Sequence, residues 1–179
     1  VAYTYYDSLY GDHHPIVAYR TGANTWVEDN YPLTTYGNWV AGGMKFTASG
    51  VAWLTFDTSD ARIINWSASA GFFDEAQMDT SFGDSSYMPV ELDGLNQPIV
   101  MSDEGIYHRV ASTWLISDYE ASHTQTYDLA VDNSGQPRMG VNHSNDLELI
   151  ETDSEGYWQY SEVDEGIGGS IGVEVDSSN

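Results

Sequence analysis

The chain has 179 residues, a net charge of −23 at pH 7 and no cysteine. This length suits one domain with a sizeable core. The negative charge argues against nucleic acid as a partner, because phosphate backbones would be repelled, and the missing cysteines exclude disulfides, thiol catalysis and thiolate metal sites. No apolar run approaches the roughly 18 residues of a spanning helix, so direct membrane insertion is not expected.

Short runs of alternating polar and apolar residues predict an all-β chain. Examples are "YDLAV", "PRMGV" and "LELIE", which polar turns such as "DNSGQ" and "NHSND" separate. No stretch shows a convincing helical period. In chain order, the N-terminal strands are expected at about Val1–Tyr6, Pro15–Arg20 and Thr25–Glu28, and the last strand at about Gly169–Val175.

A four-fold internal repeat organises these strands. Matched turns begin at Thr47, Asp93, Asp132 and Asp176, and each has Gly or Asn at its fourth position, residues that adopt a left-handed backbone at low cost. The fourth turn continues from Asn179 into "VAYTYYDS", which matches "VAWLTFDT" after the first turn. Aromatic residues open the last strand of each copy at spacings of 42 to 47 residues, namely Trp26, Phe72, Trp114 and Trp158.

A period near 45 residues with four strands per copy predicts a β-propeller of four blades. Blade 1 combines residues 169–179 with 1–28, so that an inner strand from the C-terminus closes it and Asn179 lies near Val1. The other blades are residues 43–79, 87–120 and 127–164. There are two alternatives to a four-bladed propeller. The chain could be half of an eight-bladed propeller shared by two chains, or one unit of a longer tandem array.

The run "LAVDNSGQPRMGV" resembles the "LAxDxxGxPxxxYxD" pattern of bacterial secreted β-propeller repeats. "VAYTYYDS" and "PIVAYRTGANTWVEDNYPL" resemble the start of BNR-4-type propellers, a group that includes polysaccharide lyases. That resemblance implies a His base and a Tyr acid in the blade and linker that follow. Here the corresponding linker, "TTYGNWVAGGMKFTASGVAWLTF", contains no histidine, which weakens the transfer of the activity.

A binding site is expected on the loop face around blade 1. The loop "DSLYGDHHP" and the linker "NYPLTTYGNWVAGG" are the longest of their kinds, and aromatic rings with Asp, Asn and His suit sugar rings and hydroxyls. The structural alternative is aromatic packing under a long loop with solvated histidines. The candidate ligand-binding residues are Tyr10, Asp12, His13, His14, Tyr36, Trp39 and His143.

No metal site and no cofactor are expected. Adjacent histidines in a strand point to opposite sides, so His13 and His14 could share an ion only on a bent loop. Calcium is the alternative cofactor, because turns such as "DNSG", "DTSD" and "DSSN" are rich in aspartate. None of them completes a calcium loop, and Asp side chains bonding their own backbone explain them.

These patterns favour a non-enzymatic propeller that binds a glycan or protein partner, with no catalytic set. The alternatives are a polysaccharide lyase or glycoside hydrolase, with His13 or His14 as base and Tyr36 as acid, and a structural subunit of a larger surface or membrane-bound assembly. A homodimer is a further expectation. The acidic, lysine-poor composition indicates an extracellular, surface or periplasmic location and a saline or marine source.

Overall fold

The computed structural model of the chain describes residues 1–7, 12–32, 40–57, 62–77, 88–102, 105–118, 124–143, 146–153, 157–166 and 171–176. Within these ranges the chain forms fifteen β-strands and no helix, so the prediction of an all-β chain is confirmed. The same ranges accordingly hold no helix that could cross a membrane.

The chain divides into two compact units, Val1–Val90 and Glu91–Asn179. The first unit contains a three-stranded sheet, ordered β1-β2-β3, and a four-stranded sheet, ordered β4-β5-β6-β7. All of their pairings are antiparallel. The strands are β1 (Ala2–Asp7), β2 (Asp12–Gly22), β3 (Thr25–Asn30), β4 (Val40–Phe46), β5 (Ala52–Asp57), β6 (Arg62–Ser67) and β7 (Gly71–Gln77).

The second unit contains two four-stranded sheets, ordered β8-β9-β10-β11 and β12-β13-β14-β15. Consecutive four-stranded antiparallel sheets are the architecture of propeller blades, so the fold is β-propeller-like. The strands are β8 (Val90–Leu92), which begins at the last residue of the first unit, β9 (Pro98–Met101), β10 (Gly105–Val110), β11 (Thr113–Asp118), β12 (Thr124–Val131), β13 (Pro137–His143), β14 (Asp146–Thr152) and β15 (Trp158–Asp164).

Three of the matched turns share one backbone geometry. In the turn at Asp132, the Asp132 N–H donates to the Gln136 carbonyl, and the Gly135 N–H donates to the Asp132 carbonyl, both at 2.9 Å. The turns at Thr47 and Asp93 repeat these two bonds. The fourth position is left-handed as predicted, with φ of 83° at Gly50, 60° at Asn96 and 83° at Gly135. The equivalent Asn179 lies outside the described residues.

Each unit has its own apolar core. In the first unit, Trp66 on β6 is 2% exposed and contacts the Tyr19 ring at a centroid distance of 4.9 Å. Its indole N–H donates to Asp29 Oδ2 at 2.9 Å, which ties β6 to β3. The rest of this core is Val17, Ala52, Leu54, Phe56 and Ile64. The core of the second unit is Ile99, Met101, Ile106, Leu129, Met139, Val141 and Ile150.

The first hairpin departs from the predicted repeat. Residues assigned to a long loop instead lengthen β2 to 11 residues, against 6 in β6, its counterpart. Ala2 lies opposite Val17, whereas the equivalent Ala52 lies opposite Trp66. Arg20 lies opposite Trp26 in β3, as Trp66 lies opposite Phe72 in β7, so Arg20 is the counterpart of Trp66. An exact repeat would therefore place Ala2 opposite Arg20. Its pairing with Val17 shows that β1 is displaced by three residues along β2.

The predicted closure of blade 1 by the C-terminal strand is not observed in the described part of the chain. The first sheet has three strands there, and residues 171–176 carry no strand pairing. Instead the Val173 N–H donates to Asp128 Oδ2 at 2.9 Å. The C-terminal segment, residues 171–176, therefore contacts β12 and its neighbour β13 within its own unit.

Candidate functional site

His13 and His14 lie in a regular strand, so their assignment to a loop is wrong. Both belong to β2, where His13 lies opposite Tyr6 and His14 opposite Tyr5. Successive side chains of a strand point to opposite faces, so the two imidazoles cannot converge on one ion. The described residues hold no group of three or more His, Asp or Glu side chains placed to bind a metal.

Tyr6 and His13 form an aromatic pair at the end of the first hairpin. Their ring centroids are 5.1 Å apart with an interplanar angle of 58°. Tyr6 is 51% exposed, while His13 is partly buried beneath it. A phenol ring exposed in this way offers an apolar face and a hydroxyl to a ligand.

His14 lies on the other face of the same sheet. Its Nε2 atom is buried and has no hydrogen-bond partner among the described residues. Tyr3, on the same face, donates its hydroxyl to Glu28 Oε1 at 2.6 Å, and this hydrogen bond to a carboxylate raises the pKa of Tyr3. Tyr5 and Trp26 also point to this face and are each 56% exposed.

Of the other predicted site residues, Asp12 belongs to this hairpin and His143 lies in the second unit. Tyr10, Tyr36 and Trp39 lie outside the described residues. Asp12 opens β2 opposite Asp7, and nothing is described of its side chain. His143 ends β13 in the second unit, where its backbone pairs with Asp146 and Thr124.

A charged cluster in the second unit was missed by the sequence reasoning. Arg138 on β13 bridges Glu151 on β14 and Asp132 in the preceding turn, with 3.2 Å between Arg138 Nη2 and Asp132 Oδ2. The register explains the contact, because Arg138 lies directly opposite Glu151. The cluster borders a cavity of about 450 Å³, which is otherwise lined by Leu149, Val173, Glu174, Val175 and Asp176.

The turn at Asp93 has a related arrangement. Asp93 Oδ1 accepts the backbone N–H groups of Leu95 and Gln97, and Oδ2 lies 3.0 Å from His108 Nε2. Partial burial raises the pKa of Asp93, but the hydrogen bonds from Gln97, His108 and Leu95 outweigh it and leave the pKa below its ordinary value. The turns at Asp93 and Asp132 thus have the same arrangement. In each, Oδ1 of the aspartate accepts backbone N–H groups and Oδ2 contacts a basic side chain.

No family model and no curated protein matches the chain. A solved protein of unknown function from Bacteroides caccae is similar, with a TM-score of 0.54 and 8% sequence identity. The similarity is one of fold. It covers 84% of this chain and 57% of that protein, so the chain spans little more than half the length of that protein. No activity follows from it.

We expect the Asp132 turn to weaken in acid. Partial burial raises the pKa of Asp132, but hydrogen bonds from the Ser134 hydroxyl, the Gln136 and Ser134 N–H groups and Arg138 outweigh it and lower the pKa to about 2. A depressed pKa stabilises the fold above the unfolded value near 3.8, and this contribution disappears as pH falls toward 2.

Asp132→Asn should therefore lower the free energy of unfolding by about 1 kcal/mol at pH 7, after allowance for solvent screening, and by almost nothing near pH 2. Chemical denaturation at several pH values measures this. The control is Asp164→Asn, an exposed carboxylate on β15, which should change stability by less than about 0.5 kcal/mol. A loss at Asp132 that does not vary with pH would contradict the assignment.

Proposed function

We propose that this protein is a non-enzymatic extracellular or surface propeller that binds a neutral glycan at the end of the first hairpin, around Tyr6 and His13. The observation that carries the proposal is the exposed Tyr6 ring held against His13. Sugar rings stack on such aromatic faces, and the phenol and imidazole can exchange hydrogen bonds with sugar hydroxyls. The sequence likewise predicts ligand binding on the loop face around blade 1.

The charge of the chain supports a neutral ligand over an acidic one. A net charge of −23 repels polymers that carry uronate or sulfate groups, above all at low ionic strength. A neutral glycan is bound by stacking and hydrogen bonding alone, so it does not experience this repulsion. The charge of the preferred ligand thus distinguishes a binder of neutral glycans from a lyase acting on uronate polymers.

The finer architecture is part of the proposal. We infer that each sheet is a propeller blade, so that the chain supplies four blades. What supports this is the recurrence of one turn geometry and of four-stranded antiparallel sheets along the chain. The blades form either a closed ring of four or half of a ring of eight.

Tyr6→Ala is expected to weaken binding of a neutral oligosaccharide about tenfold, because the stacking surface is lost. An array of neutral and acidic glycans identifies the ligand, and titration calorimetry then measures the affinities. The matched control is Tyr157→Ala, since Tyr157 is 66% exposed and belongs to the second unit. Equal affinities of Tyr6→Ala and the parent chain, or binding confined to acidic polymers, would contradict the proposal.

A further inference from the structure

β11 is the last strand of its sheet, and the edge that it presents is open. The sheet is ordered β8-β9-β10-β11, and within the described part of the chain no strand other than β10 pairs with β11. The residues from Thr113 to Ser117 are exposed, apart from Trp114, which is partly buried. Leu115 and Ile116 are 51% and 56% exposed and point to opposite faces, because they are successive residues of a strand.

The first five residues of β11 carry no charge, although the net charge of the chain is −23. The last strands of the other three sheets each contain two acidic residues, namely Glu28 and Asp29 in β3, Asp74 and Glu75 in β7, and Glu162 and Asp164 in β15. Charged residues on an edge strand oppose its pairing with another sheet. β11 lacks this protection over the uncharged run, residues 113–117.

The register of β10 shows which backbone groups of β11 face the open edge. The Ser102 N–H donates to the Gly105 carbonyl at 2.9 Å, so Gly105 faces β9. By the alternation of an antiparallel ladder, His108 then exchanges its hydrogen bonds with Leu115, which lies opposite it. The N–H and C=O groups of Ile116 therefore point away from β10, toward the open edge.

The uncharged run is complementary to itself when two copies pair antiparallel. A register centred on Leu115 opposes like with like: Leu115 with Leu115, Trp114 with Ile116, and Thr113 with Ser117. Pairs of an aromatic with a β-branched residue, and of Thr with Ser, are among those that stabilise antiparallel sheets. The same pairing of β7, centred on its middle residue Asp74, would instead bring two carboxylates together.

We propose that β11 pairs antiparallel with β11 of a second copy of this chain, in the register centred on Leu115. The two four-stranded sheets then continue into each other across a two-fold axis. Each copy contributes the same strand, so the contact closes at two copies and leaves no edge for a third. The inference concerns assembly and does not depend on glycan binding.

Repulsion between two chains of net charge −23 opposes the association, so the dimer should tighten as the salt concentration rises. Light scattering in about 0.5 M salt, where the Debye length is below roughly 5 Å, should approach twice the chain mass of 19.8 kDa as the protein concentration rises to about 0.5 mM. A mass of 19.8 kDa throughout would overturn the proposal, even if β11 then accepts a strand from another protein.

Ile116→Glu gives β11 an acidic residue like those of the other last strands. It should weaken dimerisation at least about tenfold, because the new carboxylates of the two copies are diagonal neighbours on one face, about 7–8 Å apart. Circular dichroism verifies that the β-structure persists, as expected at a residue that is 56% exposed. The matched control Val163→Glu changes a residue of β15 that is 59% exposed and should dimerise like the parent chain. Equal dimerisation of both variants would mean that another surface is used and that the proposal is wrong.

The absence of cysteine from the chain allows the register itself to be tested. The two Leu115 residues would form a non-hydrogen-bonded pair with Cα atoms about 4.5 Å apart, a separation that a disulfide spans. Leu115→Cys should therefore give a covalent dimer under mild oxidation, whereas Val163→Cys, at an exposed position of β15, should stay monomeric. Equal cross-linking of both variants, or of neither while the parent chain dimerises, would overturn the proposal.

Discussion

Trp66→Ala is expected to lower the free energy of unfolding of the first unit by about 3–5 kcal/mol. The Trp66 side chain is 2% exposed and contacts Tyr19 from β2 and Phe46 from β4, at centroid distances of 4.9 and 6.4 Å. Truncation leaves a cavity among these rings and removes the indole donor of Asp29. Because the side chain joins strands of both sheets in this unit, few neighbours can relax into the space.

Two variants separate the sources of this loss. Trp66→Phe keeps an aromatic ring but no N–H group, so its cost of about 1–3 kcal/mol reports the lost hydrogen bond to Asp29 and the smaller ring. Trp26→Ala removes a tryptophan that is 56% exposed and should cost less than about 0.5 kcal/mol. Urea denaturation followed by circular dichroism compares all three. Equal losses at positions 26 and 66 would rule out the packing explanation.

The turns could be predicted from sequence because their causes are local. Asp132 satisfies backbone N–H groups two and four residues ahead, and the fourth position needs a left-handed residue, which Gly135 provides. Neither requirement depends on distant parts of the chain. The aromatic residue that opens the last strand of a repeat could be predicted in the same way, since Trp158 is the first residue of β15.

The candidate site was predicted less well because strand register is not local. The polar residues around His13 and His14 are typical of a loop, and no short-range pattern shows that they extend β2 opposite Tyr6 and Tyr5. Hairpin pairing decides that outcome, and a shift of one residue exchanges the faces. Arg138 and Glu151 were overlooked for the same reason, since only the register of β13 and β14 places them together.

Gly140→Ala is expected to release the C-terminal segment. The added Cβ atom would lie 2.6 Å from a Val173 methyl carbon and 2.7 Å from one of Ile171, and β-branched side chains have few rotamers with which to retreat. β13, which carries Gly140, is fixed by a ladder on each side, whereas residues 171–176 carry no strand pairing. The segment must therefore move, which breaks the Val173 bond to Asp128 and costs about 1–3 kcal/mol.

Hydrogen exchange should show this as faster exchange of the Val173 amide, by at least about tenfold, with little change in the ladder of β13 and β14. Gly94→Ala is the matched control, because nothing lies within 4 Å of its added Cβ atom. An unchanged Val173 amide in Gly140→Ala would mean that the segment is not held by this contact.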